Sequence, residues 1–166
     1  MKNNVVLIGM PGVGKSTSGV ILAKVLNFDF LDSDLVIQKK TGKRLKDIIS
    51  GEGIDGFNAV ENQINREIQC ENTVIATGGS VVYGKEAMEH FQKIGTIVYL
   101  KISYESLDER LGDLDERGVV HKKGQTLQDI YEERTALYEK YADVTVELDG
   151  KTVAETVDAV LAALQQ

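Results

Sequence analysis

The amino-acid sequence predicts an α/β fold in which helices cover a parallel β-sheet. Three observations support this fold class. Short apolar runs rich in β-branched residues, such as Val5-Val6-Leu7-Ile8, alternate with segments that have the apolar spacing of amphipathic helices. A glycine-rich loop joins the first run to the first helical segment. The chain has 166 residues, of which 42% are hydrophobic, so we expect one domain over residues 1–166 with a substantial core.

The predicted strands are short and continuously apolar, which is typical of strands buried on both faces of a parallel sheet. They cover residues 5–8, 28–31, 74–76, 97–100 and 144–146. Glycines follow the first and third of these runs, so each strand there leads directly into a turn.

The predicted helices lie between these strands or, for the last one, after the final strand. They cover residues 16–26, 34–40, 45–49, 57–68 and 153–164. We expect Asp34 to cap the second helix and Gly42 to end it. Ser50-Gly51 is expected to end the third helix, before the longer fourth one begins.

Composition and charge exclude several classes of protein. The chain has 19 Lys and Arg against 26 Asp and Glu, and the net charge of −7 disfavours a nucleic-acid binder. Its apolar runs are too short to cross a bilayer, and the four apolar residues before Gly9 are too few for a secretion signal. One cysteine, Cys70, cannot form an intrachain disulfide. We expect a cytoplasmic monomer that binds neither nucleic acid nor membranes.

Residues 9–16, with the sequence GMPGVGKS, fit the phosphate-binding pattern G-x-x-x-x-G-K-[ST]. Glycines let successive backbone amides curl around phosphates, and the helix that follows directs its positive end at the same anion. Lys15 is placed to reach the outer phosphates, and the Ser16 hydroxyl is a ligand for Mg²⁺. The pattern therefore predicts binding of ATP with Mg²⁺. The expected nucleotide contacts are Gly12, Val13, Gly14, Lys15, Ser16 and Thr17.

Two carboxylates, Asp32 and Asp34, follow the second predicted strand. Either one alone is more typical of a helix cap or of a solvated strand end. In an α/β sheet, however, a residue just past the carboxyl end of a strand faces the ligand crevice. Beside a phosphate-binding loop, one carboxylate can hold the water shell of Mg²⁺, and the other can accept a hydrogen bond from an attacking hydroxyl.

Residues 112–124 are polar, highly charged and poor in core residues. This composition is typical of a solvated loop, and it is equally typical of a mobile lid over a binding site. Arg117 in this segment and Arg134 beyond it each lie among acidic residues. From the residues alone, a surface salt bridge and a functional role are both open for these two arginines.

Over essentially its whole length, the chain resembles the shikimate kinases, which are small P-loop kinases of the nucleoside-monophosphate-kinase type. The residues that carry the resemblance are the loop 9–17, Asp32-x-Asp34, Phe57-x-x-x-Glu61, Thr77-Gly78-Gly79, Arg110, Arg117 and Arg134-x-x-x-Tyr138. The resemblance implies a three-layer α/β/α P-loop fold, a five-stranded parallel sheet and a mobile lid at about 112–124. It also implies transfer of the ATP γ-phosphoryl group to the 3-hydroxyl of shikimate.

For the nucleotide half of the site, the resemblance implies that Ser16 and Asp32 hold Mg²⁺, directly or through water. Arg117 would move in with the lid to neutralise the phosphates, and Arg110 would lie against the adenine. The expected catalytic set is Lys15, Asp34 and Arg117.

For the acceptor half, the resemblance implies that Asp34 holds the substrate hydroxyls and that Arg134 pairs with the substrate carboxylate. Gly78 and Gly79 would line this half through their backbone. Asn58 and Ser80 are expected to contribute to the same substrate site.

Three positions depart from the family pattern. Asn58 replaces an arginine that grips the substrate carboxylate, Ser80 replaces the third glycine of a Gly-Gly-Gly turn, and residues 117–120 read RGVV where the family has RPLL. An Arg–carboxylate contact is among the stronger polar interactions a site can offer. A second hypothesis therefore keeps the fold and the reaction but changes the acceptor to another small alcohol, such as a sugar acid or a hydroxy amino acid.

Two further hypotheses remain from the residues. A nucleoside-monophosphate kinase would share the fold, but the acceptor segment lacks the extra arginines needed to grip a second nucleotide. An ATP-binding module without catalysis is disfavoured because the loop and both aspartates retain the groups that catalysis uses. These groups are Lys15, Ser16, Asp32 and Asp34.

Overall fold

In the computed structural model, which describes residues 2–111 and 119–166, a five-stranded parallel sheet lies at the centre. The strands are β1 (Asn4–Ile8), β2 (Asp29–Asp32), β3 (Thr73–Ala76), β4 (Gly95–Lys101) and β5 (Val144–Glu147). Their order across the sheet is β2-β3-β1-β4-β5, and each neighbouring pair is parallel. The predicted α/β class and its parallel sheet are confirmed.

The central strand β1 shows why the apolar runs are continuous. Val6 pairs with Ile75 of β3 on one side and with Ile97 of β4 on the other. All three residues are fully buried. Because helices cover both faces of the sheet, neither face of a central strand meets water, and alternation of polar and apolar residues is absent.

The helices form layers around this sheet. They are α1 (Lys15–Leu26), α2 (Ser33–Thr41), α3 (Leu45–Arg66), α4 (Lys85–Ile94), α5 (Tyr104–Leu111), α6 (Leu127–Tyr141) and α7 (Val153–Leu164). Helices α1 and α7 pack against each other and against the sheet, whereas α4 and α6 contact β4 and α3 packs on α4. The expected three-layer α/β/α arrangement is confirmed. Within the described residues, no helix is both long enough and apolar enough to cross a membrane.

Two predicted helix boundaries are wrong. Helix α2 begins at Ser33, and its cap is Asp32, whose carboxylate accepts hydrogen bonds from the amides of Asp34 and Leu35. Asp34 therefore lies in the first turn of the helix and does not cap it. Residues 45–66 form one helix with a break at Gly53, where φ is 75°, so the break lies past Ser50-Gly51.

Helices α4, α5 and α6 have no counterpart among the predicted elements, although α4 buries an amphipathic face formed by Ala87, Met88 and Phe91. The carboxyl ends of β1, β2 and β3 lie side by side at one edge of the sheet. That edge brings the loop after β1 close to the residues that follow β2 and β3. The candidate site is built there.

Candidate active site

The loop between β1 and α1 has the backbone of an anion-binding cradle. Gly12 and Gly14 have φ values of 83° and 86°, a left-handed conformation that glycine adopts without strain. Helix α1 starts at Lys15 without a side-chain cap and without an acidic residue in its first turn. Its free amides and positive end are therefore open to a negatively charged ligand, as the motif predicted.

The Lys15 side chain is buried and folds back over this loop. Its Nζ donates to the carbonyl oxygens of Gly9 at 2.6 Å and Met10 at 2.8 Å. Burial lowers the pKa of Lys15 to about 7, an effect that Asp34 and Asp32 oppose and that Arg134 reinforces. The amine is thus held over the cradle, and a bound polyphosphate would favour its charged form.

Asp32, the last residue of β2, contacts both the start of α2 and the start of α1. One carboxylate oxygen caps α2, and the other accepts a hydrogen bond of 3.2 Å from the Ser16 hydroxyl. The structure therefore places a hydroxyl and a carboxylate together at the start of α1, and these belong to the two residues that we expected to hold Mg²⁺. Among the described residues, no group of three or more His, Cys, Asp or Glu side chains is arranged to hold a metal ion. Mg²⁺ commonly uses one or two protein oxygens, with phosphates and water completing its shell.

Asp34 lies in the first turn of α2, next to the turn that follows β3. Burial and the nearby Asp32 carboxylate raise the pKa of Asp34 to about 6, and Lys15 opposes this shift. A Cβ atom on Gly78 would lie 2.8 Å from Asp34 Oδ1 and 3.1 Å from Glu61 Oε2. Gly78 therefore fits between two carboxylates, and any larger residue would displace one of them.

Glu61 is a buried acid that the predicted site did not include. It is 2% exposed on α3, and its Oε1 accepts a 2.7 Å hydrogen bond from the Ser80 hydroxyl. Its Oε2 has no hydrogen-bond partner among the described residues. Burial raises the pKa of Glu61 to about 7, and the Ser80 hydrogen bond opposes that shift. The signal in the sequence is an acid on the same helical face as the buried Phe57 and Ile64.

Arg134 is not on the protein surface. It is 2% exposed, its Nη2 donates to the carbonyl of Val120, and its guanidinium lies 5.5 Å from the centre of the Tyr83 ring. In the part of the chain that the structure describes, its Nε has no hydrogen-bond partner. Its Nη1 would lie 3.0 Å from a Cβ atom on Gly79. The surface salt bridge that the neighbouring glutamates left open is therefore wrong, because burying a guanidinium requires polar partners in the interior.

The turn that carries Gly78 and Gly79 is fixed from behind by α6. The hydroxyl of Tyr138 donates to the Gly79 carbonyl at 2.5 Å and lies 3.7 Å from the sulfur of Met10. Tyr138 is fully buried and lies one helical turn after Arg134. One helix thus positions both the arginine and the backbone beside it, and sequence reasoning gave Tyr138 no separate role.

Most of the predicted site residues that the structure describes line one of three cavities. One of about 300 Å³ joins Pro11, Gly12 and residues 14–17 to Asp34 and residues 77–79. One of about 160 Å³ brings Arg110 to the outer side of the loop, beside Val13 and Thr17. Asn58 lines a third cavity, of about 200 Å³, with Tyr83 and Val120. Arg117 lies outside the described residues, as does part of the predicted lid.

The family model described as shikimate kinase matches residues 11–165. The chain belongs to the shikimate kinase family. Members of this family are phosphotransferases that act on a hydroxyl group.

Relatives support the assignment over nearly the full length. The chain is 33% identical to a shikimate kinase from Persephonella marina, over 98% of this chain and 99% of that protein. It is 39% identical to one from Francisella tularensis subsp. novicida, over 95% and 92%. The structure of the shikimate kinase from Acinetobacter baumannii in complex with shikimate superimposes with a TM-score of 0.88 at 30% identity, covering 99% of this chain and 94% of that one.

Proposed function

We propose that this protein transfers the γ-phosphoryl group of ATP to the 3-hydroxyl of shikimate. The observation that carries the proposal is the cavity of about 300 Å³ that contains both the phosphate-binding loop and Asp34 with Gly78 and Gly79. A donor phosphate and an acceptor hydroxyl bound there would be neighbours, as direct transfer requires. Membership of the shikimate kinase family supports the choice of acceptor.

The nucleotide half would be formed by the loop amides, Lys15 and Arg110. The left-handed Gly12 and Gly14 allow successive amides to face the phosphates, and the uncapped start of α1 adds its positive end. When ATP binds, the Lys15 ammonium would donate to phosphate oxygens in place of the loop carbonyls of Gly9 and Met10. Arg110, at the outer side of the same loop, would lie against the base.

Ser16 and Asp32 fit a magnesium ion. Both offer oxygen atoms, they lie 3.2 Å apart, and they face the start of the helix where the phosphates would bind. When bound, Mg²⁺ would offset the phosphate charge that develops during transfer. Asp32 keeps its second oxygen on the amides of α2, so its orientation is fixed before any ligand arrives.

The acceptor half would use Asp34 as hydrogen-bond acceptor for the attacking hydroxyl. With a pKa of about 6, Asp34 is ionised at pH 7.5 and can take the proton as the oxygen attacks. The new bond joins the acceptor oxygen to the γ-phosphorus, the bond to the bridging oxygen of ADP breaks, and the proton passes through Asp34 to solvent. Arg134 would bind the substrate carboxylate, and Gly78 and Gly79 would line the ring through their backbone.

Three residues complete the proposal. Asn58 and Ser80 would border the acceptor, and Arg117 would add a positive charge from the lid as the phosphoryl group transfers. We also propose that the enzyme acts as a monomer in the cytoplasm, where ATP is available.

The test is ADP release with Mg-ATP across a panel of acceptors. The panel contains shikimate, a sugar acid such as gluconate, and a hydroxy amino acid such as homoserine, with Lys15→Met as the inactive control. We expect the highest kcat/KM for shikimate by at least about a hundredfold, since a site rejects acceptors that leave its buried polar groups unpaired. Preferential turnover of a sugar acid or hydroxy amino acid would overturn the choice of acceptor while leaving the kinase reaction intact.

A further inference from the structure

The cavity beside Asn58 extends the acceptor half towards the start of α6. It has a volume of about 200 Å³ and is lined by Asn58, Tyr83, Val120 and Lys122, among others. Two of these residues also contact Arg134, because the Tyr83 ring faces its guanidinium and the Val120 carbonyl accepts from its Nη2. The cavity therefore directly adjoins the cation that we assign to the substrate carboxylate.

Among the described residues that line or adjoin this cavity, Arg134 is the one buried cation, and a carboxylate bound there would find no second cation on the buried side. Arg134 already gives one donor to Val120. Asn58 is neutral, and its buried Oδ1 accepts no hydrogen bond from residues 2–111 or 119–166. A carboxylate has two oxygens and can accept several hydrogen bonds. Because Arg134 already donates to Val120, it cannot satisfy all of them, and the carboxylate can bind a second cation.

Lys122 is placed to supply that cation. Its backbone is fixed by a closed turn, in which its amide donates to Gln125 Oε1 at 2.8 Å and its carbonyl accepts from the Gln125 amide at 3.1 Å. Within residues 2–111 and 119–166, its ammonium group forms no salt bridge. Two acids, Asp55 and Glu133, line the same cavity, and Glu133 accepts a hydrogen bond from the Tyr83 hydroxyl.

We propose that Lys122 is a specificity-determining residue that binds the acceptor's carboxylate together with Arg134. This inference rests on the proposed function, because shikimate supplies the carboxylate. The lysine carries a point charge on a flexible four-carbon stem, so it can extend from the turn into the space beside the short Asn58 side chain. The second cation would then come from the turn before α6, and Asn58 on α3 would leave room for it.

The test compares Lys122→Met with wild type in steady-state kinetics. Methionine keeps much of the apolar stem and removes the charge. We expect KM for shikimate to rise about tenfold, as for loss of a charged hydrogen bond, with kcat and KM for ATP within twofold. With shikimate methyl ester, which lacks the carboxylate charge, Lys122→Met and wild type should have equal kcat/KM. If Lys122 had only a structural role, Lys122→Met would lower kcat/KM for shikimate and for its methyl ester by the same factor.

Lys123→Met is the matched control, because Lys123 is an exposed neighbour that lines a different cavity. Asn58→Arg is the rescue variant: by supplying a second cation from α3, it should lower KM for shikimate again in the Lys122→Met background. If Lys122→Met behaves like Lys123→Met with shikimate, the assignment of Lys122 is wrong. If wild type releases no ADP with shikimate, the proposed function fails and the inference fails with it.

Discussion

The Ser80 hydroxyl donates a 2.7 Å hydrogen bond to Oε1 of Glu61, a buried acid whose other carboxylate oxygen has no partner within the described residues. Ser80 follows Gly79 in the turn after β3, so this bond ties that turn to α3 across the acceptor half of the site. The same hydroxyl favours the ionised form of Glu61 and opposes the burial that raises its pKa.

Ser80→Ala should destabilise the protein, and more at pH 8 than at pH 5. At pH 8 the Glu61 carboxylate is ionised and would lose its hydrogen bond while staying buried, which we expect to lower the free energy of unfolding by about 1–3 kcal/mol. At pH 5 the carboxyl is protonated, and the loss should be smaller. Urea unfolding at both pH values measures this difference. An equal loss at pH 5 and pH 8 would mean that Ser80 acts through packing alone.

Glu61→Gln should make stability less dependent on pH. The pKa of Glu61 rises from its ordinary 4.5 to about 7, so the folded state holds a proton that the unfolded state releases between these values. The wild type therefore loses stability as pH rises from 4.5 to 7, and the loss from this group stays constant above pH 7. Relative to wild type, the glutamine variant should gain on the order of 3 kcal/mol between pH 4.5 and pH 8.

Glu52→Gln is the control for this comparison, because Glu52 is an exposed acid on the same helix. Unfolding free energies are measured for the three proteins from pH 4.5 to pH 8. A constant difference between Glu61→Gln and wild type would show that Glu61 titrates normally in the folded protein.

Local signals predicted much of the fold. The strands are continuous apolar runs, and Gly42 ends α2 in the left-handed conformation expected of a helix C-terminus. Asp32 and Asp34 were both plausible caps, and the choice depends on where the strand ends, which short-range pattern does not determine. The break in α3 falls at Gly53 because the backbone there takes φ 75°, although Gly51 carries the same freedom in the sequence.

Site residues that belong to a recognisable motif could be located from the sequence. Residues whose role depends on being buried by distant parts of the chain were harder to locate. The loop around Lys15 follows from its spacing. The position of Arg134 in the interior depends on α6 packing beside Tyr83 and Gly79, which are about 50 residues away in the chain. Glu61 was missed for the same reason, since the Ser80 hydroxyl that stabilises it comes from another element.

Lys15→Met should abolish phosphoryl transfer and leave the fold intact. Within the described residues, the hydrogen bonds of the Lys15 amine go to the loop carbonyls of Gly9 and Met10 alone. We expect kcat to fall by at least about a thousandfold, because the group that stabilises the transferring phosphate is gone. ADP release measures activity, and far-ultraviolet circular dichroism checks the fold. A variant with native-like turnover would show that Lys15 has no part in transfer.

Asp34→Asn should separate turnover from nucleotide binding. We expect kcat to fall about a hundredfold or more through loss of the proton acceptor, with the Kd for ATP within threefold of wild type. Asp32→Asn is the paired variant, since its amide oxygen can still cap α2 while its charge beside Ser16 is lost. This second variant should need more Mg²⁺ for half-maximal rate. Weakened ATP binding in Asp34→Asn, with normal Mg²⁺ dependence in Asp32→Asn, would reverse the two roles.

The central claim is that the protein transfers the γ-phosphoryl group directly from ATP to the acceptor hydroxyl, with both reactants bound in one cavity. Phosphorus NMR of wild type with Mg-ATP and shikimate tests it most directly. We expect one new phosphomonoester signal, coupled to the ring proton at carbon 3, that grows in equal amount with ADP. Inorganic phosphate growing in equal amount with ADP, and no phosphomonoester, would contradict the claim, because water and not shikimate would then be the acceptor.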